Sequence, residues 1–267
     1  MVVIEEIILT SMMGREAPNL EDSEVLQAKK LIEKIAADIG AAKFYLQNNR
    51  ELERSQRWFD QSPMVKDCLR IVADYGDCYG HGFSHIRKVA LDAGAILLIE
   101  VKSASRMVNP KRLVLLGHLA GLLHDVKRRE KNHAQQGAQE AAKILMDFAL
   151  KAWECSAITR AIANHEAFQP QNSLDDPADQ LLSDALYDAD KFRWGPDNFT
   201  ETLWAMLTSR KVPLSMVLSR FLSGLEGIRQ IRETFRTPTG KAYGPDFIDR
   251  GLEIGRRFYA EMTQTVR

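Results

Sequence analysis

Apolar residues recur along almost the whole chain at intervals of three and four, and no segment alternates with the period of two that marks a half-buried strand. The pattern predicts a protein built from helices. Residues 22–39 read as an amphipathic helix with Asp22 or Ser23 as its cap and Gly40 as its stop. Residues 41–60 are more polar, and Ser62-Pro63 breaks the pattern before a short helix over 63–75. A Gly-rich stretch and Ser84 then open a helix in which His85, Val89, Ala93 and Ile96 share a face. Asn109 and Pro110 suit the cap and first turn of the next helix, which carries Leu113, Val114, Leu115, Leu116, Leu119, Leu122 and Leu123. Further helices are expected from about His133 to Trp153 and over 156–166, 180–192, 198–209, 213–235 and 246–265. A polar loop is expected over 169–179 and a turn at Pro238-Thr239-Gly240. With no internal repeat and no low-complexity linker, the expected architecture is all-α. A single multi-helix bundle over 61–267 would carry an N-terminal helical arm over 1–60 and a C-terminal helical layer.

The most apolar helix ends in His124-Asp125. Burying a carboxylate there is costly unless something pairs with it. A divalent metal is a pairing that also accounts for the adjacent imidazole. His85 points inward from the first turn of its own helix. Asp184, Asp188 and Asp190 place acids among apolar Leu181, Leu182 and Phe192. Three separate helices would then contribute a His, His, Asp, Asp set. Nitrogen and oxygen ligands of this kind suit Mn, Fe, Co, Ni, Zn or Mg better than a thiolate-loving metal.

Composition narrows the setting. The 267 residues are 45% apolar, enough to bury a substantial core without covalent staples. Thirty-six basic and 36 acidic side chains cancel, so charge gives no argument for nucleic acid or an anionic membrane as the main partner. Cys68, Cys78 and Cys155 form no CxxC pair, which suggests a reducing compartment and buried thiols. The first thirteen residues are interrupted by Glu5 and Glu6 and lack a basic lead, so they make a poor signal peptide and are too short to span a bilayer. A soluble cytoplasmic protein is expected. The 22–60 arm is a candidate interface for a homo-oligomer.

The order His85, then His124-Asp125, then a distant Asp190 resembles the HD superfamily of metal-dependent phosphohydrolases. The segment HGFSHIRKV resembles that family's first-ligand helix, and LLHDV its doublet helix. HAQQGAQEAAKIL and AITRAIANHE resemble the two helices that follow, and YDADKF resembles the aspartate helix commonly written DADRL. Together these span about residues 76–195. The stretch from Thr237 to Met262 is similar to the C-terminal part of an uncharacterised bacterial branch. A lone HD dipeptide would mean little, but the ordered series is specific.

The resemblance implies an HD-domain-like bundle and metal ligands at His85, His124, Asp125 and Asp190. Asp190 is favoured within the DAD run because it precedes the Lys-Phe that stands where the family has Arg-Leu, with Asp188 as the fallback or a neighbour of the ligands. It implies phosphoester hydrolysis assisted by a divalent metal on a phosphorylated small molecule, a nucleotide by preference. Asp125 would bind the metal and orient water, and Lys88 and Arg128 would stabilise charge on the phosphate. His133 and His165 stand where two-metal members place additional histidines, so a second metal or a supporting role is open for both. His81 and Trp194 are candidate substrate contacts. Trp153, Trp194 and Trp204 otherwise read as core.

The chain also departs from known branches. Relatives acting on guanosine tetraphosphate carry an acidic pair soon after HD, where this chain has Val126-Lys127-Arg128-Arg129-Glu130. The cyclic-dinucleotide branch has Gly-Tyr-Pro after its last histidine, where Ala167-Phe168-Gln169-Pro170 stands after Glu166 here. Two rival functions remain: a di-iron oxygenase completed by His133 and His165, and a non-catalytic nucleotide-binding regulatory module.

Overall fold

The computed structural model describes residues 23–75, 82–101, 109–210 and 212–264. All regular structure among them is helical, as expected of an all-α protein. In chain order the helices are α1 (Ser23–Ile39), α2 (Lys43–Gln47), α3 (Asn49–Gln61), α4 (Pro63–Ala73), α5 (Phe83–Val101) and α6 (Pro110–Leu123). They continue with α7 (His133–Leu145), α8 (Ala152–Ala163) and α9 (Pro177–Phe192). A π-helical turn, Asn198–Thr202, precedes α10 (Leu203–Arg210), α11 (Leu214–Ile231) and α12 (Pro238–Gln264). No described helix is long and apolar enough to cross a membrane.

The chain divides into two compact units, one formed by Met1–Lys43, Phe192–Thr234 and Pro245–Arg267, the other by Phe44–Lys191 and Phe235–Gly244. The division does not fall at residue 60. Helix α1 belongs to the first unit, while α3 packs against α5 inside the second. The polar composition of 41–60 reflects exposed positions around a buried stripe that includes Ser55 and Phe59.

In the first unit, α1 buries Ala28, Ile32 and Ile35. Arg250 Nη1 donates to the carbonyl oxygens of Ile39 and Gly40 at 2.7 and 3.2 Å, satisfying the end of α1. Gly40 has φ +78°, the left-handed stop the sequence suggested. Phe221 and Phe258 lie 5.5 Å apart between ring centroids, and Trp204 meets Phe258 edge-on at 6.4 Å.

In the second unit, α5 and α6 are the most extensively packed pair. Both are apolar around most of their circumference, as suits helices enclosed by others. They cross closely at Gly121: a Cβ there would stand 2.5 Å from Ala90 Cα and 2.6 Å from its nitrogen. The close approach sets the start of α5 against the end of α6, where His85 and His124 sit. Gly121→Ala is therefore expected to overpack the crossing by about 1–3 kcal/mol. A thermal melt should show it as a loss of about 2–12 °C. An unchanged melt would mean that the helices part without cost.

The helix starts follow the sequence. Asn109 accepts from Lys111 and Arg112 amides at 3.0 and 3.3 Å ahead of Pro110, and Ser62 accepts from the Val65 amide at 3.3 Å ahead of Pro63. The expected helix from His133 to Trp153 is interrupted, because α7 ends at Leu145 and α8 begins at Ala152. Tertiary contact restarts it: buried Glu154 accepts from Arg112 Nε and Nη2 at 2.5 and 2.6 Å and from the Lys151 amide at 2.7 Å. Trp153 is exposed rather than core. Pro238-Thr239-Gly240 is not a turn but the first turn of α12. Thr237 Oγ1 accepts from the Gly240 amide at 2.8 Å, and Glu100 accepts from the Thr239 amide and hydroxyl at 2.7 and 2.5 Å.

Candidate metal centre

Five elements of the second unit deliver the site. His85 lies in the first turn of α5, and His124-Asp125 follow the last residue of α6. His133 opens α7 after Asn132, whose φ of 58° turns the chain sharply. His165 lies just beyond α8, and Asp190 is in the last turn of α9. All are buried except His133, which is half-buried.

Four donor atoms converge. His85 Nε2 lies 3.2 Å from His124 Nε2, 3.6 Å from Asp125 Oδ2 and 3.4 Å from Asp190 Oδ1. His124 Nε2 lies 3.4 Å from Asp125 Oδ2 and 3.7 Å from Asp190 Oδ1. Ligands about 2.1 Å from a common metal stand about 3.0 Å apart in an octahedral site and about 3.4 Å apart in a tetrahedral one. The four carboxylate–imidazole separations, 3.4–3.7 Å, all exceed a good hydrogen bond and lie at or slightly beyond the tetrahedral spacing. The donor set thus fits a divalent ion: His85, His124 and Asp125 form one group of donors that could hold it, and Asp190, grouped with His124 and His165, brings Oδ1 to the same two imidazoles, His85 and His124.

The imidazole orientations agree. His124 Nδ1 lies 2.8 Å from the Gly121 carbonyl oxygen, and His165 Nδ1 lies 2.6 Å from that of Ile162. A carbonyl only accepts, so each Nδ1 carries a proton and donates it. Each Nε2 is then directed to the centre, the usual support for a metal-binding histidine. Burial works to lower the His124 pKa, but Asp125 and Asp190 beside it raise it to about 10. Burial alone would raise the Asp190 carboxyl, yet Lys191, with His124 and His85, holds it well below the usual carboxylate range. The cluster therefore stabilises positive charge at His124 Nε2. A metal would take that place by displacing the proton.

Asp125 faces two ways. Its Oδ2 is turned to His85 and His124, while Oδ1 lies 3.6 Å from His165 Nε2 and 3.9 Å from His133 Nε2. Asp125, His133 and His165 form a second donor group. Arg128 Nη1 lies 2.7 Å from His133 Nε2. Burial, and then the Arg128 guanidinium, lower the His133 pKa to about 3.

The other candidates are distributed differently. Asp188 does not join the cluster. Its carboxylate accepts from the Arg236 and Thr237 amides, both at 2.8 Å, and from Thr237 Oγ1 at 2.7 Å, fastening the start of α12 to α9. One residue of the DAD run turns to the centre and the other away from it because positions two apart lie on different helix faces. Lys88 is half-buried one turn beyond His85. Trp194 is buried in the first unit. His81 and Cys78 lie outside the described residues. Of the remaining thiols, Cys68 is buried, with its pKa pushed up to about 12 by burial, and Cys155 is half-buried.

Two features were missed in the sequence. Lys191 is buried, donates to Asp190 Oδ2 at 2.5 Å and holds its ammonium 5.0 Å from the Tyr187 ring centroid. Its signal was a lysine set directly after the DAD run, between Asp190 and apolar Phe192. Arg236 stacks on the same ring, with Cζ 3.4 Å from the Tyr187 ring centroid and Nη1 donating to the Asn164 carbonyl oxygen at 3.0 Å. His118, by contrast, is a core residue 3.0 Å from Ser55 Oγ, its pKa lowered to about 3 by burial.

No protein-family model and no curated protein matches the sequence. Among solved structures, the chain is similar to a predicted HD superfamily hydrolase from an uncultured Thermotogales bacterium. The two are 21% identical, with 78% of this chain and 98% of that chain covered and a TM-score of 0.48.

Proposed function

We propose that the chain is an HD-type metal-dependent phosphohydrolase acting on a small phosphorylated molecule, a nucleotide by preference. The observation that carries this reading is the buried meeting of His85 Nε2, His124 Nε2, Asp125 Oδ2 and Asp190 Oδ1, with separations of 3.2–3.7 Å among the pairs above. A divalent ion of the Mn, Fe, Co, Ni, Zn or Mg group would supply Lewis acidity to a phosphoryl oxygen and to a water molecule. The residues do the rest. Asp125 offers a carboxylate oxygen to orient water for attack at phosphorus and to accept its proton. Arg128, which reaches His133, and Lys88, one helical turn after His85, are the cations assigned to the charge that develops on the phosphoryl oxygens. Lys191 holds the second oxygen of Asp190, so that only one is presented to the centre.

The test is phosphate release from a panel of nucleoside mono-, di- and triphosphates and non-nucleotide phosphoesters. It would use protein loaded with Mn, Co or Ni, and the same protein after chelation. Turnover of at least one class, lost on chelation and restored by metal, is expected. No release from any class by metal-replete protein would reject the hydrolase.

A further inference from the structure

The second donor group raises a separate question: what cation belongs beside Asp125 Oδ1. Three side chains border that place, His133, His165 and Asp125 itself. A second metal would need the lone pair of His133 Nε2. That lone pair is engaged. A guanidinium only donates, so the 2.7 Å approach of Arg128 Nη1 makes His133 Nε2 the acceptor.

We infer that Arg128 takes the place of a second metal, leaving one ion per chain and making the guanidinium the second positive partner of the substrate phosphoryl group. The inference rests on the reading of the first four residues as a metal centre. It goes beyond that reading by fixing the number of ions and the reason for it. Two-metal hydrolases use the second ion to clamp an oxygen of the transferring phosphoryl group. A guanidinium can do the same through paired hydrogen bonds to two phosphate oxygens, without being exchangeable for solvent ions. Arg128 reaches this position from the loop between α6 and α7, in which Asn132 turns the chain into His133. With His133 engaged, the arrangement suits hydrolysis at one metal and disfavours two-metal oxygen chemistry.

The experiment counts metal without using any substrate. Protein stripped with a chelator is reloaded with excess Co(II), freed of unbound ion, and measured by elemental analysis and by its visible ligand-field absorption. The wild-type chain should hold about one ion. Arg128→Met keeps the aliphatic stem but frees His133 Nε2, and it should hold about two, with a second set of absorption bands. Adding His133→Ala to that variant should return the count to about one, while Arg128→Lys, which keeps a cation, should stay near one. Two ions in the wild type, or one in a folded Arg128→Met, would overturn the inference. If Arg128→Met does not fold, Arg128→Gln and the wild-type count decide the question. No Co(II) in the wild type would instead defeat the metal centre. Absence of phosphate release would defeat the hydrolase and leave the ion count standing.

Discussion

Asp125→Ala is expected to lose the bound metal and with it all metal-dependent turnover. Asp125 is the residue that both donor groups share: Oδ2 lies 3.4 Å from His124 Nε2, and Oδ1 lies 3.6 Å from His165 Nε2. Its removal takes away a ligand, the charge that offsets the ion, and the oxygen that would orient water. Mutation of groups that merely support a ligand costs 10–100-fold in affinity, so loss of a ligand carboxylate should weaken binding by on the order of 10²-fold or more. The fold should survive. Asp125 follows the end of α6 and contributes a buried carboxylate whose desolvation opposes folding. Elemental analysis of the variant beside wild type, with a thermal melt of each, checks this. A variant that keeps the wild-type metal content would remove Asp125 from the ligand set. One that keeps its metal but not its turnover would leave it the role of orienting water.

Much of this centre was legible because its chemistry is written into helix patterns. His85, His124 and Asp125 stand at apolar positions where an uncompensated polar group would be expensive. The choice of Asp190 over Asp188 needed the resemblance, and only the three-dimensional surroundings separate their roles. The partners of Asp188 are Arg236 and Thr237, 48 and 49 positions away, and no local spacing announces them. The same holds for Glu154, whose pairing with Arg112 across 42 positions divides a stretch that reads as one helix. The packing of residues 49–61 was hidden for a related reason. Polar residues around a narrow buried stripe look like an independent helix, yet α3 is packed on α5. Arg128 was visible as a cation near the site. That it would rest on His133, across a loop in which Asn132 is left-handed, is not required by the sequence.

Asp188→Ala and Asp190→Ala should separate stability from metal binding within one short run. Asp188 satisfies two backbone amides and one hydroxyl at the start of α12, all of them in the second unit. Alanine leaves these donors in a buried place, each at a cost of about 1–3 kcal/mol. The gain in Asp188's own desolvation offsets part of that, since burial already raises its pKa to about 6. A net loss of about 3 kcal/mol is expected, seen as a melt lowered by about 6–12 °C. Gly240→Ala should act in the same direction without touching any ionisable group, because a Cβ at that position would run into the Asp188 carboxylate. Below its lowered melting temperature, Asp188→Ala should still take up metal at the wild-type count. Asp190→Ala should lose metal uptake, because Asp190 Oδ1 faces His85 and His124 at 3.4 and 3.7 Å. It also deprives buried Lys191 of its carboxylate partner, so its melt should fall as well, and metal uptake rather than stability distinguishes the two. If Asp188→Ala lost the metal at a temperature where it is folded and Asp190→Ala kept it, the ligand assignment in the DAD run would be reversed.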